Sequence, residues 1–344
     1  MNTVIIKTDG ISIKEDTLAL AADIIRCGGL VVFPTETVYG LGGDGTNATA
    51  AKKIYAAKGR PSDNPLIIHV EAPERAEEYA YTNDTYYRLA KAFMPGPLTV
   101  ILPKKDSVPF SVTGGMDTVA VRCPSHPIAR KLIQACGVPI AAPSANLSGK
   151  PSPTCARYVI EDLDGRVDMI IDGGDCEIGL ESTIVKLDES KAIVLRPGAI
   201  TVDALRCVCS SVEIAPAVLH QLADNEKPES PGMKYRHYAP NAPLVLIDGD
   251  ERDIVAFLKE ERSKRKCAVL CFSEELRLLD GEYIIDIGKQ NDIEAQARSL
   301  FTALREADAM NVDIIYAHLP QKDGLGLALY NRMIRAAAHT ILKV

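Results

Sequence analysis

Two cations precede Pro61, and a hydroxyl and an amide stand between Pro61 and Pro65, in Lys58-Gly59-Arg60-Pro61-Ser62-Asp63-Asn64-Pro65, just before an apolar run from Leu66 to Val70. That spacing suits an anion. Lysine supplies a point charge and arginine a planar fork of donors, the pairing that fits phosphate oxygens. Pro61 and Pro65 restrict the backbone and lower the entropy lost on binding. A polar, proline-bearing turn between a helix and a strand has the same composition, so the neighbouring motifs must decide.

Pro34-Thr35-Glu36-Thr37-Val38-Tyr39-Gly40 leaves an apolar run and delivers two threonines, a carboxylate and a phenol in quick succession. Groups at a strand end are well supported for ligand binding, although a threonine-rich sheet edge reads similarly. Pro143-Ser144-Ala145-Asn146-Leu147-Ser148-Gly149-Lys150-Pro151-Ser152-Pro153-Thr154 clusters hydroxyls, an amide and small residues that expose backbone N–H groups. It could cradle phosphates, but it lacks the G-x-x-x-x-G-K-[ST] spacing, which excludes a Walker-type loop. Gly40-Leu41-Gly42-Gly43-Asp44-Gly45 matches G-x-G-x-x-G, with Glu71 at the distance of a ribose-binding acid. Six residues separate this run from the strand ending at Phe33, which argues against a dinucleotide fingerprint. Its glycines are expected to turn the backbone beside a ligand.

Arg122 ends one apolar run and Arg196 another, the second after a run that begins near Ser182. Arginines in such places need an anion. With Lys58 and Arg60 they make four cations for one cleft, more than a single carboxylate requires. His69 lies inside an apolar strand, where a lone histidine is usually structural. No H-E-x-x-H, G-x-S-x-G or Ser/His/Asp spacing is present, so covalent catalysis is not indicated. Cations, hydroxyls and glycines together suit nucleotidyl transfer, where positioning and charge stabilisation of phosphate supply most of the acceleration.

Short β-branched runs read as strands at Leu30 to Phe33, Leu66 to Val70, Leu98 to Leu102, Thr118 to Arg122, Pro139 to Ala142, Met169 to Ile171, Thr183 to Leu187 and Ile193 to Leu195. Residues 16 to 26 form an amphipathic helix that stops at Gly28-Gly29. The last two strands follow one another without a helix, which predicts a mixed sheet in an α/β or α+β domain. Prolines 216, 228, 231, 240 and 243 mark a linker. Beyond it, strands near Leu244 to Ile247, Cys267 to Phe272, Tyr283 to Ile287 and Val312 to Tyr316 alternate with helices near 250–264, 292–309 and 326–342. That order predicts a small parallel sheet. The expected organisation is residues 1–212 as one domain, 213–243 as linker and 244–344 as a small α/β domain.

A chain of 344 residues fits a large domain plus a small one. Net charge −7 argues against coating nucleic acid through bulk charge. Nine scattered cysteines contain no C-x-x-C pair, so no zinc framework is expected. Their odd number, with no leader peptide and no run long enough to span a bilayer, points to a cytoplasmic protein.

In order along the chain, Phe33 to Leu41, Lys58-Gly59-Arg60-Pro61 with Pro65-Leu66, Pro95-Gly96-Pro97-Leu98-Thr99, Val121-Arg122-Cys123-Pro124, Pro143 to Gly149 and Leu195-Arg196-Pro197-Gly198 resemble the YrdC-type threonylcarbamoyl-AMP synthases. The likeness covers about residues 14–206. Ser230 to Pro240, followed by the small domain, resembles the longer two-domain form of that family. The resemblance implies a YrdC-like mixed twisted sheet with helices, plus a small Rossmann-like parallel α/β domain. It implies conversion of L-threonine, bicarbonate or CO2 and ATP into threonylcarbamoyl-AMP and pyrophosphate, with Mg²⁺ carried by ATP rather than by protein side chains. The product serves modification of the adenosine beside the anticodon, through a tRNA threonylcarbamoyl transferase complex.

Residue by residue, the likeness assigns ATP to Lys58, Arg60, Ser62, Ser144, Asn146, Ser152 and Arg196, with Lys58 and Arg60 as the catalytic cations. It assigns threonine to Thr35, His69, Arg122 and Ser182, with Arg122 pairing the carboxylate. Thr118 touches one ligand or the other, and Tyr238 closes over the nucleotide. With Tyr235, it makes the linker a lid that keeps water from a hydrolysable intermediate. Two other readings stay open: a binder of double-stranded RNA, against which the acidic charge counts, and a carbamoyl transferase for another amine.

Overall fold

The computed structural model describes residues 2–188, 191–220, 238–279 and 281–344. The chain forms two compact units. The first holds the described residues up to 220, except 149–151 and 178–180, which belong with residues 238 onward in the second.

The first unit is built on β1 (Val4–Lys7), β2 (Val31–Phe33), β3 (Gly40–Asp44), β4 (Ile67–His69), β5 (Leu98–Pro103), β6 (Thr118–Arg122), β7 (Ile140–Ala141), β8 (Met169–Asp172), β9 (Thr183–Asp188), β10 (Lys191–Arg196) and β11 (Ser211–Ile214). They join in one sheet of order β1-β8-β2-β3-β7-β4-β6-β5-β9-β10-β11. The sheet is mixed, as expected: β4/β6 and β5/β9 are parallel, while β5/β6 and β9/β10 are antiparallel.

Alternation along the strands sorts the side chains into two faces. Ile68, Val121, Val100, Val185 and Val194 point into the main core. On the other face Ile67, Ala120, Ile101, Ile184 and Leu195 form a smaller apolar cluster, joined by Ala217. Two residues beyond Ile67, Ala120 and, in the opposite direction, Ile101, the same face presents His69, Arg122 and Thr99. Thr118, also of β6, shares that face.

Three elements differ from the sequence reading. Gly40–Asp44 was expected to turn, yet it is strand β3, antiparallel to β2 and β7. Its glycines serve packing: a Cβ on Gly42 would lie 2.7 Å from both Ile140 Cγ2 and Phe33 Cε1. The boundary drawn at residue 212 falls inside β11, which pairs with β10, and the segment after it carries Ala217 into the apolar cluster. The third is in the second unit.

That unit contains β12 (Leu244–Asp248), β13 (Cys267–Cys271), β14 (Ile284–Asp286), β15 (Ile314–His318) and β16 (Ile341–Lys343), all parallel, in the order β14-β13-β15-β12-β16. The helix expected over 326–342 ends at Ala336, because Ala338 and His339 take φ of 47° and 62°. Ile341–Lys343 then joins the sheet beside β12. Among the described residues no helix is long and apolar enough to cross a membrane, and all nine cysteines are free thiols.

Candidate functional site

Register brings the candidate residues into one row. His69 lies opposite Arg122, Arg122 opposite Thr99, Thr99 opposite Ile184 and Ile184 opposite Arg196, across five neighbouring strands. The last step depends on an irregularity between Val194 and Arg196 in β10, which turns Arg196 onto the row. Bulges of this kind often re-aim a side chain beside an active site. Ser182, just before β9, closes the end of the row: its hydroxyl is 2.8 Å from Thr99 Oγ1 and accepts from Arg196 Nη2 at 3.2 Å, while Arg196 Nε donates to the Ser182 carbonyl at 3.0 Å. The resemblance divided Ser182 and Arg196 between two ligands; the fold joins them.

The loop after β2 supplies the counter-charge. Thr35 Oγ1 donates to the Val38 carbonyl at 2.6 Å and accepts from the Val38 backbone N–H at 3.2 Å, which curls the chain into a tight turn. Glu36, inside that turn, reaches Arg122 Nη2 at 2.8 Å, and each residue is 4% exposed. Burial alone would push the Glu36 carboxyl up; the Arg122 guanidinium outweighs it and holds the group below the ordinary carboxylate value, helped by backbone N–H dipoles at Glu36 and Ser125. His69 is pushed down to about 3, first by burial and then by the Arg122 charge. At neutral pH its imidazole is uncharged, and its Nδ1 sits 3.3 Å from the Ile140 carbonyl.

A second cluster gathers at the end of the helix Ala48–Lys58. Asn47 caps its start, accepting from Thr49 at 2.8 Å, and Gly59 ends it with φ of 61°, the left-handed conformation that glycine adopts without penalty. Lys58, in the last turn, is buried and donates to the carbonyls of Ser144 and Asn146. The Ser144 hydroxyl lies 2.6 Å from Asn146 Oδ1. Arg60, just past the helix, folds back on its own loop, donating to Asn64 Oδ1 at 2.6 Å and the Pro65 carbonyl at 3.0 Å. The expected anion loop therefore has both cations placed on protein oxygens in this state. Ser62 is exposed at the tip of that loop.

Main-chain bonds lace the two clusters together. Gly40 bridges to Ser144, Ala145 N donates to Tyr39 O at 2.8 Å, and Tyr39 N donates to Pro153 O at 3.0 Å. Ser152 Oγ donates to Glu181 Oε1 at 2.6 Å, and Glu181 precedes Ser182. Thr35, Lys58, His69, Arg122, Ser144, Asn146, Ser152, Ser182 and Arg196 thus belong to one connected arrangement. Tyr238 belongs to the second unit, where its ring stacks on Phe301 at 5.2 Å between centroids. Tyr235, the other half of the expected lid, lies outside the described residues.

Sequence reasoning left three members out of the site: Glu36, Thr99 and Glu181. Each adjoins a residue that was singled out or sits within a quoted motif. A carboxylate between two threonines directly after the fully apolar strand Val31–Phe33 was the available signal for Glu36.

A family profile described as Sua5_yciO_yrdC, telomere recombination, matches residues 23–198. A second, described as threonylcarbamoyl-AMP synthase, C-terminal domain, matches residues 200–338. The chain is 45% identical to a threonylcarbamoyl-AMP synthase of Pyrococcus abyssi, over 96% of this chain and 97% of the relative. It is 44% identical to one of Bacillus subtilis, over 98% and 97% respectively. A crystal structure of P. abyssi Sua5 complexed with L-threonine superposes with a TM-score of 0.91 at 44% identity, covering 100% of both chains.

Proposed function

The chain belongs to the Sua5/YciO/YrdC family, and from that premise we propose that it is an enzyme making threonylcarbamoyl-AMP and pyrophosphate from L-threonine, bicarbonate or CO2 and ATP. The observation that carries this reading is the row His69, Arg122, Ser182 and Arg196 on one sheet face, in a chain matched from end to end by a relative solved with L-threonine.

Arg122 takes the threonine carboxylate, with Thr35, His69 and Ser182 around the rest of the amino acid. Neutral His69 adds no charge to repel the Arg122 guanidinium. Lys58, Arg60, Ser62, Ser144, Asn146, Ser152 and Arg196 receive ATP, and Thr118 touches one ligand or the other. The threonine amine, once its ammonium proton has passed to water, adds to CO2 and gives up a second proton to water to form a carbamate; a carbamate oxygen attacks the α-phosphorus, the α–β anhydride bond breaks and pyrophosphate departs. The chain's share is alignment, water exclusion and stabilisation of the leaving charge by Lys58 and Arg60. To serve the phosphates, Lys58 and Arg60 exchange carbonyl partners for phosphate oxygens.

Among the described residues no group of three His, Cys, Asp or Glu side chains is placed to hold a metal. Mg²⁺ enters on the triphosphate in this scheme, and no step is assigned to it. The product passes in the cytoplasm to a tRNA threonylcarbamoyl transferase complex.

Pyrophosphate release from ATP by the purified chain, with Mg²⁺, tests the reaction. Release that requires both L-threonine and bicarbonate, and is not supported by serine, is the expected result. Release indifferent to threonine would point to another acceptor, and no release from folded protein would remove the reading.

A further inference from the structure

Buried polar atoms are nearly always hydrogen-bonded, and the exceptions concentrate where a ligand completes the set. Glu36 and Arg122 are such exceptions. They form an ion pair at 2.8 Å, and backbone N–H groups of Glu36 and Ser125 lean on the carboxylate, yet both oxygens of Glu36 and the Nε and Nη2 of Arg122 close no well-aligned hydrogen bond. The pairing of atoms is informative. Nε and Nη2 are one edge of the guanidinium fork, the edge that accepts a carboxylate with two parallel bonds. The two Glu36 oxygens are acceptors only, so an ammonium group is the complement they lack.

A ligand that satisfies all four atoms carries a carboxylate and an ammonium a few ångströms apart, which is the zwitterion of an α-amino acid. We propose that Glu36 reads the ammonium group of the entering amino acid while the Nε/Nη2 edge of Arg122 reads its carboxylate. This rests on the function proposed above and adds a specificity residue to it. In the free site the two side chains neutralise each other loosely; an amino acid replaces one poor contact by two good ones. A carboxylic acid without the amino group meets the uncompensated Glu36 charge, so the pair discriminates against it.

Calorimetric titration of the full chain tests the proposal with three probes: L-threonine, 3-hydroxybutanoate, which lacks the amino group, and threoninol, which lacks the carboxylate. The wild type should prefer threonine to either analogue. In Glu36→Gln, threonine should weaken by about 10- to 100-fold, the range for losing a hydrogen bond to a charged group, while 3-hydroxybutanoate binds as well as before or better. Glu36→Asp, which keeps the charge, should recover part of the preference, and thermal melting of each variant checks the fold. Threonine binding unchanged in Glu36→Gln overturns the proposal. So does parallel loss of threonine and 3-hydroxybutanoate in a folded variant, since that pattern means Glu36 only positions Arg122. A folded wild type that does not bind threonine sinks the parent reading and this one together; wild-type binding without the Glu36→Gln pattern sinks only this one.

Discussion

Each unit of this protein buries a glutamate with an oxygen left without a partner, and the two are held in opposite ways. Glu275, 1% exposed in the second unit, is fastened through one oxygen: its Oε2 accepts from the Phe272 backbone N–H at 2.9 Å and from His318 Nε2 at 2.8 Å, and the His318 ring stacks on Phe272 with centroids 4.4 Å apart. Only its Oε1 lacks a partner. Glu36 has a charged neighbour from a distant strand and no well-aligned hydrogen bond to either oxygen. A carboxylate that serves the fold is fixed by well-aligned hydrogen bonds on one oxygen; one that serves a ligand is held chiefly by a counter-charge, with both acceptors open. The contrast predicts different responses to mutation.

The largest effect falls on the Glu36 side. Arg122→Met strands a buried carboxylate and should destabilise the protein by about 3–5 kcal/mol in denaturant titration, with loss of threonine-dependent pyrophosphate release. Adding Glu36→Leu should restore most of the stability without restoring activity. Failure of the double variant to recover would mean that the pair holds the fold as Glu275 does.

Glu275→Ala removes an end-cap and a histidine partner, and should cost about 1–2 kcal/mol. Threonine-dependent turnover should stay at the wild-type level below the melting transition. A fall in turnover at full folding would break the comparison, because it would give the second unit's carboxylate a part in the chemistry.

The most gradual effect is set by pH. An unfolded chain protonates His69 near the ordinary value of 6.5, whereas the folded chain resists until about 3. Stability present above pH 6.5 is therefore lost as pH falls toward 3, by at most about 1.4 kcal/mol per pH unit for one proton. Glu36 also has a lowered pKa, so its contribution too is lost on acidification, but below its ordinary value of 4.5. Between pH 6.5 and 4.5 the difference in slope between wild type and His69→Asn isolates the histidine. An identical slope in the two proteins would show that His69 titrates normally.

Much of the sheet was legible because its strands are short, β-branched and bounded by turn residues. Thr118–Arg122 falls where the pattern put it, and the helix Glu15–Arg26 stops at the expected glycine, with Gly28 at φ of 75°. The strands that escaped lack that signature. Gly40–Asp44 is mostly glycine, and it is a strand because Phe33 and Ile140 need the space its missing side chains leave. Ile341–Lys343 continued a helical run in the sequence, and a turn of positive φ at Ala338 and His339 sends it into the sheet.

By itself the sequence determined which chemistry is available. Cations, hydroxyls and glycines recur in an ordered set of motifs, and local physics makes each one a turn, a cap or a strand end. Tertiary structure decided which of those groups meet. Pairing of β4, β6, β5, β9 and β10 places His69, Arg122, Thr99 and Arg196 in one row, and a shift in β10 brings the last of them into line. Lys58 and Arg60, adjacent to the same glycine, end on different partners. Glu36 found Arg122 only because a turn after β2 carries it there. Burial then set the charges, leaving His69 neutral beside an ion pair, and burial is a property of the folded chain that no local spacing records.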